Sequence, residues 1–196
     1  MCNFNSNIHK FLIIVLVQFI SVSIFAQNRY KVSDTNIKLT GTSTFHDWEM
    51  TSTSGNGTLT IDFDKNGKIE KITNISLSSD VKGLKSESSV MDDNAYRALK
   101  QSKNPKILFK GNSTSVTSKD GKTYDVVVSG KLSMAGVSLP IDFVLKAVLN
   151  SDGTINIKAE KDMDMTKWKV EPPSFMMDTM KTGKDVKLSF SSTIKK

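Results

Sequence analysis

A catalytic reading of this sequence has to begin at His46, because the only other histidine, His9, lies just before an apolar N-terminal run. His46 stands in Gly41-Thr42-Ser43-Thr44-Phe45-His46-Asp47-Trp48, with hydroxyls before it and a carboxylate after it. Nucleophile, base and orienter are therefore present in kind. Along a strand, however, successive side chains point to opposite faces, so Phe45, His46 and Asp47 do not assemble a local triad. Thr44, His46 and Trp48 share a face instead. In one reading His46 and Trp48 sit at a cavity mouth and orient a ligand headgroup through a ring nitrogen and the indole N–H. In the other, His46 bonds a neighbouring loop and Trp48 fills core. A hydrolase built on His46 lacks a convincing nucleophile, and no catalytic residue is assigned.

Composition narrows the remaining chemistry. Cys2 is the only cysteine and precedes the apolar run, so neither thiol catalysis nor a cysteine zinc site is expected. One histidine with scattered carboxylates falls short of a zinc ligand set. Asp162 and Asp164 can share a strand face, but calcium needs more oxygens from one loop. The glycines sit singly at turns or as Gly55-Asn56-Gly57, with no phosphate-cradling loop. No metal and no cofactor is expected. The formal charge of +7 is spread over lysines, with Arg29 and Arg97 the only arginines. Basic clusters interleaved with aromatics are missing, so nucleic acid is not an expected partner. A solvated lysine surface, with a weak transient attraction to anionic headgroups, is.

What stands out chemically is apolar and flexible. Met163, Met165, Met176, Met177 and Met180, five of the nine methionines, crowd around Trp168, Pro172, Pro173 and Phe175. Thioethers with three rotatable bonds adapt to irregular shapes, which suits a gate over an apolar cavity and equally a loop plugging a barrel end.

The elements that must position these residues follow from hydrophobic period. Lys10 and the apolar run Phe11 to Phe25, ending at Ala26, have the form of an export signal. As a helix the run reaches about 22 Å against roughly 30 Å of bilayer hydrocarbon, so it reads as cleaved rather than as an anchor. The expected division is 1–26 signal peptide and 27–196 a single domain, periplasmic or secreted. From Thr58, Leu59, Ile61 and Phe63 alternate with polar residues, the period of a half-buried strand, and Lys65-Asn66-Gly67 turns the chain. Ile69 to Val81 looks extended, although Ile69, Ile72 and Ile75 fall three apart and blur its register. A short helix follows Val90-Met91, capped by Asp92 or Asp93 and ended at Asn104-Pro105. Strands return at Ile107 and Phe109, then on even positions from Tyr124 through Val126 and Val128 to Met134. Odd positions from Val137 through Ile141 and Phe143 to Leu149 follow, then Ile155 to Ala159 and Val186 to Phe190. Their turns are Lys119-Asp120-Gly121, Ala135-Gly136 and Ser151-Asp152-Gly153. This is an all-β antiparallel meander with one short helix, which must bury a face by closing into a barrel or stacking as a sandwich.

Two stretches carry a family resemblance. Gly83-Leu84-Lys85-Ser86-Glu87-Ser88-Ser89-Val90-Met91-Asp92 continues through Tyr96-Arg97-Ala98-Leu99-Lys100 to Asn104-Pro105-Lys106-Ile107-Leu108-Phe109, and Gly130-Lys131-Leu132-Ser133-Met134-Ala135-Gly136-Val137-Ser138-Leu139-Pro140-Ile141 follows. Both resemble the YceI-like family of exported, polyisoprenoid-binding-like proteins. The resemblance covers nearly all of 27–196 and implies a lipocalin-like antiparallel β-barrel around a long apolar ligand. Many members carry an arginine-x-aspartate element where this chain has Lys161-Asp162-Met163-Asp164-Met165, so no headgroup contact is carried over.

The functional expectation is a non-enzymatic binder or carrier of an isoprenoid-like or fatty lipid, its tail among Leu59, Ile61, Phe63, Val126, Val128, Ile141 and Phe143, with His46 and Trp48 at the mouth. The alternative is a filled barrel whose outer face binds another envelope protein, since barrel closure alone does not require a ligand.

Overall fold

The computed structural model describes residues 28–175 and 180–196. The expected signal peptide, Met176 and Met177 lie outside the described residues. In chain order the strands are β1 (Arg29–Ser43), β2 (Asp47–Ser52), β3 (Asn56–Phe63), β4 (Ile69–Asp80), β5 (Lys106–Ser118), β6 (Thr123–Met134), β7 (Val137–Leu149), β8 (Ile155–Asp164), β9 (Ser174–Phe175) and β10 (Met180–Lys195). The helix α1 (Ser89–Ala98) lies between β4 and β5.

Antiparallel neighbours run β1-β3-β4-β5-β6-β7-β8-β10, and β10 pairs back onto β1 from Lys31↔Lys195 to Ser43↔Thr182. Eight strands thus close into a barrel rather than a sandwich, which leaves no free edge along most of the wall. The other side of β1 is divided: Arg29 to Val32 pair with β3 and Ile37 to Thr42 pair with β2.

The blurred register of Ile69, Ile72 and Ile75 has a definite cause. Between Thr60↔Thr73 and Thr58↔Ser76 the β4 strand carries one extra residue, and it carries another between Asp62↔Lys71 and Phe63↔Ile69. Each bulge flips side-chain parity, so isoleucines three apart all point inward and are buried. Asn74, at φ 52°, sits in the first of these. In β1 the same device, a register shift between Ser33 and Asn36 beside Asp34 at φ 49°, changes the inward set from Tyr30 and Val32 to Ile37 and Leu39. Much of β1 is Lys, Thr and Asn, and with its parity switched midway it has no single period for a sequence reading to find.

The helix also differs from expectation. Ser88, not Asp92 or Asp93, caps it by accepting from the Met91 amide. Asp92 lies one turn in and is buried. The helix ends at Ala98, with turn residues Leu99 to Lys103 before Asn104-Pro105.

The two barrel ends are built differently. At the end of the β3–β4, β5–β6 and β7–β8 turns, large side chains fill the interior: Tyr30, Phe63, Ile69, Tyr124, Val126 and Ile155. Tyr124 is 1 % exposed, accepts the Ile69 amide at 3.2 Å and donates to the Gly121 carbonyl at 2.8 Å, stitching two turns together. At the other end lie the β1–β2 turn, α1 with its flanking loops, and residues 165–173. Midway, the facing glycines Gly111 and Gly130 are covered by the Phe109 ring, which meets Phe143 edge-on at 5.4 Å. A Cβ on Gly130 would stand 2.3 Å from the Lys110 carbonyl oxygen and 2.7 Å from the Phe109 ring. Gly130→Ala is expected to cost about 1–3 kcal/mol by overpacking, read as a lower urea midpoint at unchanged slope.

Candidate functional site

A cavity of about 600 Å³ occupies the helix-side half of the barrel. Inward residues of all eight barrel strands line it, among them Leu39, Leu59, Ile75, Phe109, Val128, Phe143, Ala159 and Leu188. Ala159, paired with Leu145 on one side and Phe190 on the other, presents only a methyl group to the volume, whereas Tyr124 and Tyr30 project large rings into the packed end. Across the opening lies α1, whose Val90, Met91, Asn94, Ala95 and Ala98 line the cavity, followed by Leu99 in the turn after it. That spacing of three and four is the stripe of an amphipathic helix, and it was legible in the sequence as the signal for these missed lining residues.

Asp92 anchors the helix. Its carboxylate accepts from the Ser86 amide at 2.7 Å, the Ser86 hydroxyl at 2.8 Å and Lys85 Nζ at 3.1 Å. Burial pushes this carboxyl up, but the Ser86 contacts and the Lys85 charge outweigh it and hold it below its ordinary value. The Lys85 ammonium lies 5.3 Å from the centre of the Tyr96 ring, and Tyr96 donates to the Leu84 carbonyl at 2.8 Å. Loop and helix are thus fastened by charge-assisted bonds on the side away from the cavity.

The segment after β8 forms the facing rim. Asp164 caps the 3₁₀ turn Met165–Trp168 by accepting from the Thr166 amide at 3.0 Å, and it pairs with Lys184 at 3.0 Å. The Thr166 hydroxyl and the Lys184 charge hold its carboxyl down to about 2. The turn seats Trp168, 4 % exposed, whose indole N–H donates to the Leu132 carbonyl at 2.9 Å. Met163, Met165, Val170 and Pro173 line the cavity from this side.

Of the residues singled out in the sequence, Leu59, Val128, Phe143, His46 and Trp48 line the cavity. Ile61, Phe63, Val126 and Ile141 also point inward, but they belong to the packed core and are not among its lining residues. Thr44-Phe45-His46 form the β1–β2 turn, so strand alternation does not govern them. His46 is exposed, with Nδ1 3.0 Å from the Asp47 carbonyl oxygen. Trp48 packs over Gly41 and donates its indole N–H to the Thr42 carbonyl at 3.1 Å, which leaves its ring face toward the cavity. Among the described lining residues Lys181 is the only lysine and none is a carboxylate. The described lining suits an elongated apolar molecule and holds no carboxylate pair for acid–base work.

A family model described as YceI-like domain matches residues 25–194. No curated protein matches the chain. Among solved structures the fold is similar to Burkholderia cenocepacia BcnA, at 13% identity over 83% of this chain and 96% of that one, with a TM-score of 0.61. It is similar to a polyisoprenoid binding domain from Saccharophagus degradans implicated in plant cell wall breakdown, at 11% identity over 86% and 98% of the two chains, TM-score 0.62. A Campylobacter jejuni YCEI protein is similar at 15% identity over 75% and 84%, TM-score 0.53. These identities speak to the fold, an all-β barrel with one helix.

Because the folded state lowers the Asp92 pKa, the stability it contributes is complete above the unfolded value of about 3.9 and is lost as pH falls toward the folded one. Asp92→Asn is expected to be less stable than wild type at neutral pH and to approach it as pH falls below the unfolded carboxyl value of about 3.9 and through the lowered folded one. Urea midpoints measured across that range check this; a constant gap would remove the assigned role.

Proposed function

Because the chain belongs to the YceI-like family, we propose that it is a non-enzymatic binder or carrier of a long apolar lipid, isoprenoid-like or fatty, held in the barrel. The observation that carries this reading is the apolar cavity of about 600 Å³, within the range of about 300–1,000 Å³ that small-molecule pockets occupy. Each CH₂ moved from water into it contributes about 0.8 kcal/mol, less the cost of ordering a flexible tail. The polyisoprenoid binding named for the Saccharophagus degradans domain supports the isoprenoid class.

In this proposal the tail lies against Leu59, Val128 and Phe143, with Ile61, Phe63 and Val126 backing the packed end and Ile141 in the wall beside Gly130, and the mouth is framed by His46 and the Trp48 ring. Residues 1–26 direct export and are removed, so that 27–196 work in the periplasm or outside the cell. The onset of the family match at residue 25 supports that boundary. Loading and delivery require transient contact with a membrane surface. Phe45, 67 % exposed at the β1–β2 turn, and Val90, 62 % exposed at the start of α1, stand beside the mouth, with Lys181 on its lining. Apolar tips with a nearby ammonium suit the headgroup boundary of an anionic bilayer.

Native mass spectrometry of the exported protein, followed by denaturation, tests the proposal. Wild type is expected to release a discrete mass that partitions into organic solvent. Ala159→Phe, which fills the space between Leu145 and Phe190, is expected to fold while retaining at least tenfold less lipid. A bare polypeptide that takes up neither isoprenoid nor fatty lipids, with Ala159→Phe destabilised by about 1–3 kcal/mol as in a filled core, would favour the filled barrel that docks another envelope protein.

A further inference from the structure

Among the described residues, two buried side-chain polar atoms have no hydrogen-bond partner: Asn94 Nδ2 and Ser78 Oγ. Both residues line the apolar cavity. The polar groups around them are satisfied. Asp92 has three partners. Thr35 bonds Ser192, and Ser79 bonds Ser54, which bonds Ser52.

Chemistry settles which way the Asn94 carboxamide faces. Arg97, one turn on and exposed, bonds Asn94 Oδ1. A guanidinium has donors and no acceptor, so the amide must present its oxygen to Arg97. The NH₂ group is therefore the one left without a partner, on a side chain only 8 % exposed. An unsatisfied buried donor costs about 1–3 kcal/mol, whereas an apolar side chain at this position would match its neighbours Met91 and Ala98. Such an exception calls for an acceptor that arrives from outside the chain.

We propose that Asn94 is a specificity determinant of the cavity, donating from Nδ2 to an uncharged oxygen, a carbonyl or hydroxyl, on an otherwise apolar chain. The inference rests on the lipid-binding reading and names the ligand's polar group. The acceptor is uncharged because the walls are apolar and, among the described lining residues, there is no carboxylate and the single lysine, Lys181, is exposed. An anion buried beside Asn94 would lose its hydration with no counter-charge facing it. Arg97 orients the carboxamide rather than touching the ligand.

Delipidated full-length mature protein is titrated with a long-chain methyl ketone and with the alkane of equal length, in wild type and in Asn94→Leu. The expected result is roughly tenfold weaker ketone binding in the variant, with alkane binding unchanged or tighter. Equal changes for both ligands would overturn the assignment. If wild type binds neither, the lipid-binding reading fails instead, and the two failures are thereby told apart. Should Asn94→Leu not fold, the infrared carbonyl band of a ¹³C-labelled ketone bound to wild type decides. A shift to lower frequency than in alkane solution is expected, and an unshifted band overturns the proposal.

Discussion

The pairing of β1 with β10 is the constraint on which the rest of the structure depends. Their ladder joins the two ends of the described chain, and without it the seven other pairings among the eight barrel strands would make an open sheet with one apolar face in water. Closure turns that face into an interior. It also fixes how much interior there is, because the number of strands and their stagger set the diameter of a barrel whatever side chains project into it.

With the diameter fixed, side-chain size decides whether the inside is solid or hollow. One half carries Tyr30, Phe63 and Tyr124 and is filled; the other carries Ala159 among its inward residues and is not. The boundary runs near Phe109 and Phe143, whose edge-on contact is held by the glycines beneath Phe109. The bulges of β1 and β4 serve the same end. They tilt the local wall and re-aim whole half-strands, bringing Ile37, Leu39, Ile72 and Ile75 to the cavity without lengthening the barrel.

The open half depends on elements that are not strands. Helix α1 covers the opening through an apolar stripe, and its placement is secured by the bonds of Asp92 to Ser86 and Lys85. The 3₁₀ turn at Met165–Trp168, capped by Asp164, supplies the facing rim. Charge thus works on the outside of the covering segments while apolar surface and the buried carboxamide of Asn94 face inward. The division matters because apolar walls alone accept any greasy molecule, and a donor with a fixed direction discriminates among them.

Much of this was legible in the sequence. The period of two over Leu59–Phe63, Tyr124–Met134 and Val137–Leu149 determined strands with an apolar face, and the glycine turns between them determined antiparallel neighbours. Residues whose signal is local, such as the stripe on α1, could be read as well. Three things required the tertiary structure. The register of β4 and the existence of β1 rest on bulges, which break the period that sequence reading relies on. The distinction between Val128, on the cavity, and Val126, in the packed end, is invisible to period because both point inward and only their height along the barrel differs. The missing partner of Asn94 is a property of what surrounds it rather than of its neighbours in sequence. Alternation states which way a side chain points; whether it meets another atom or empty space is decided only when distant strands close around it.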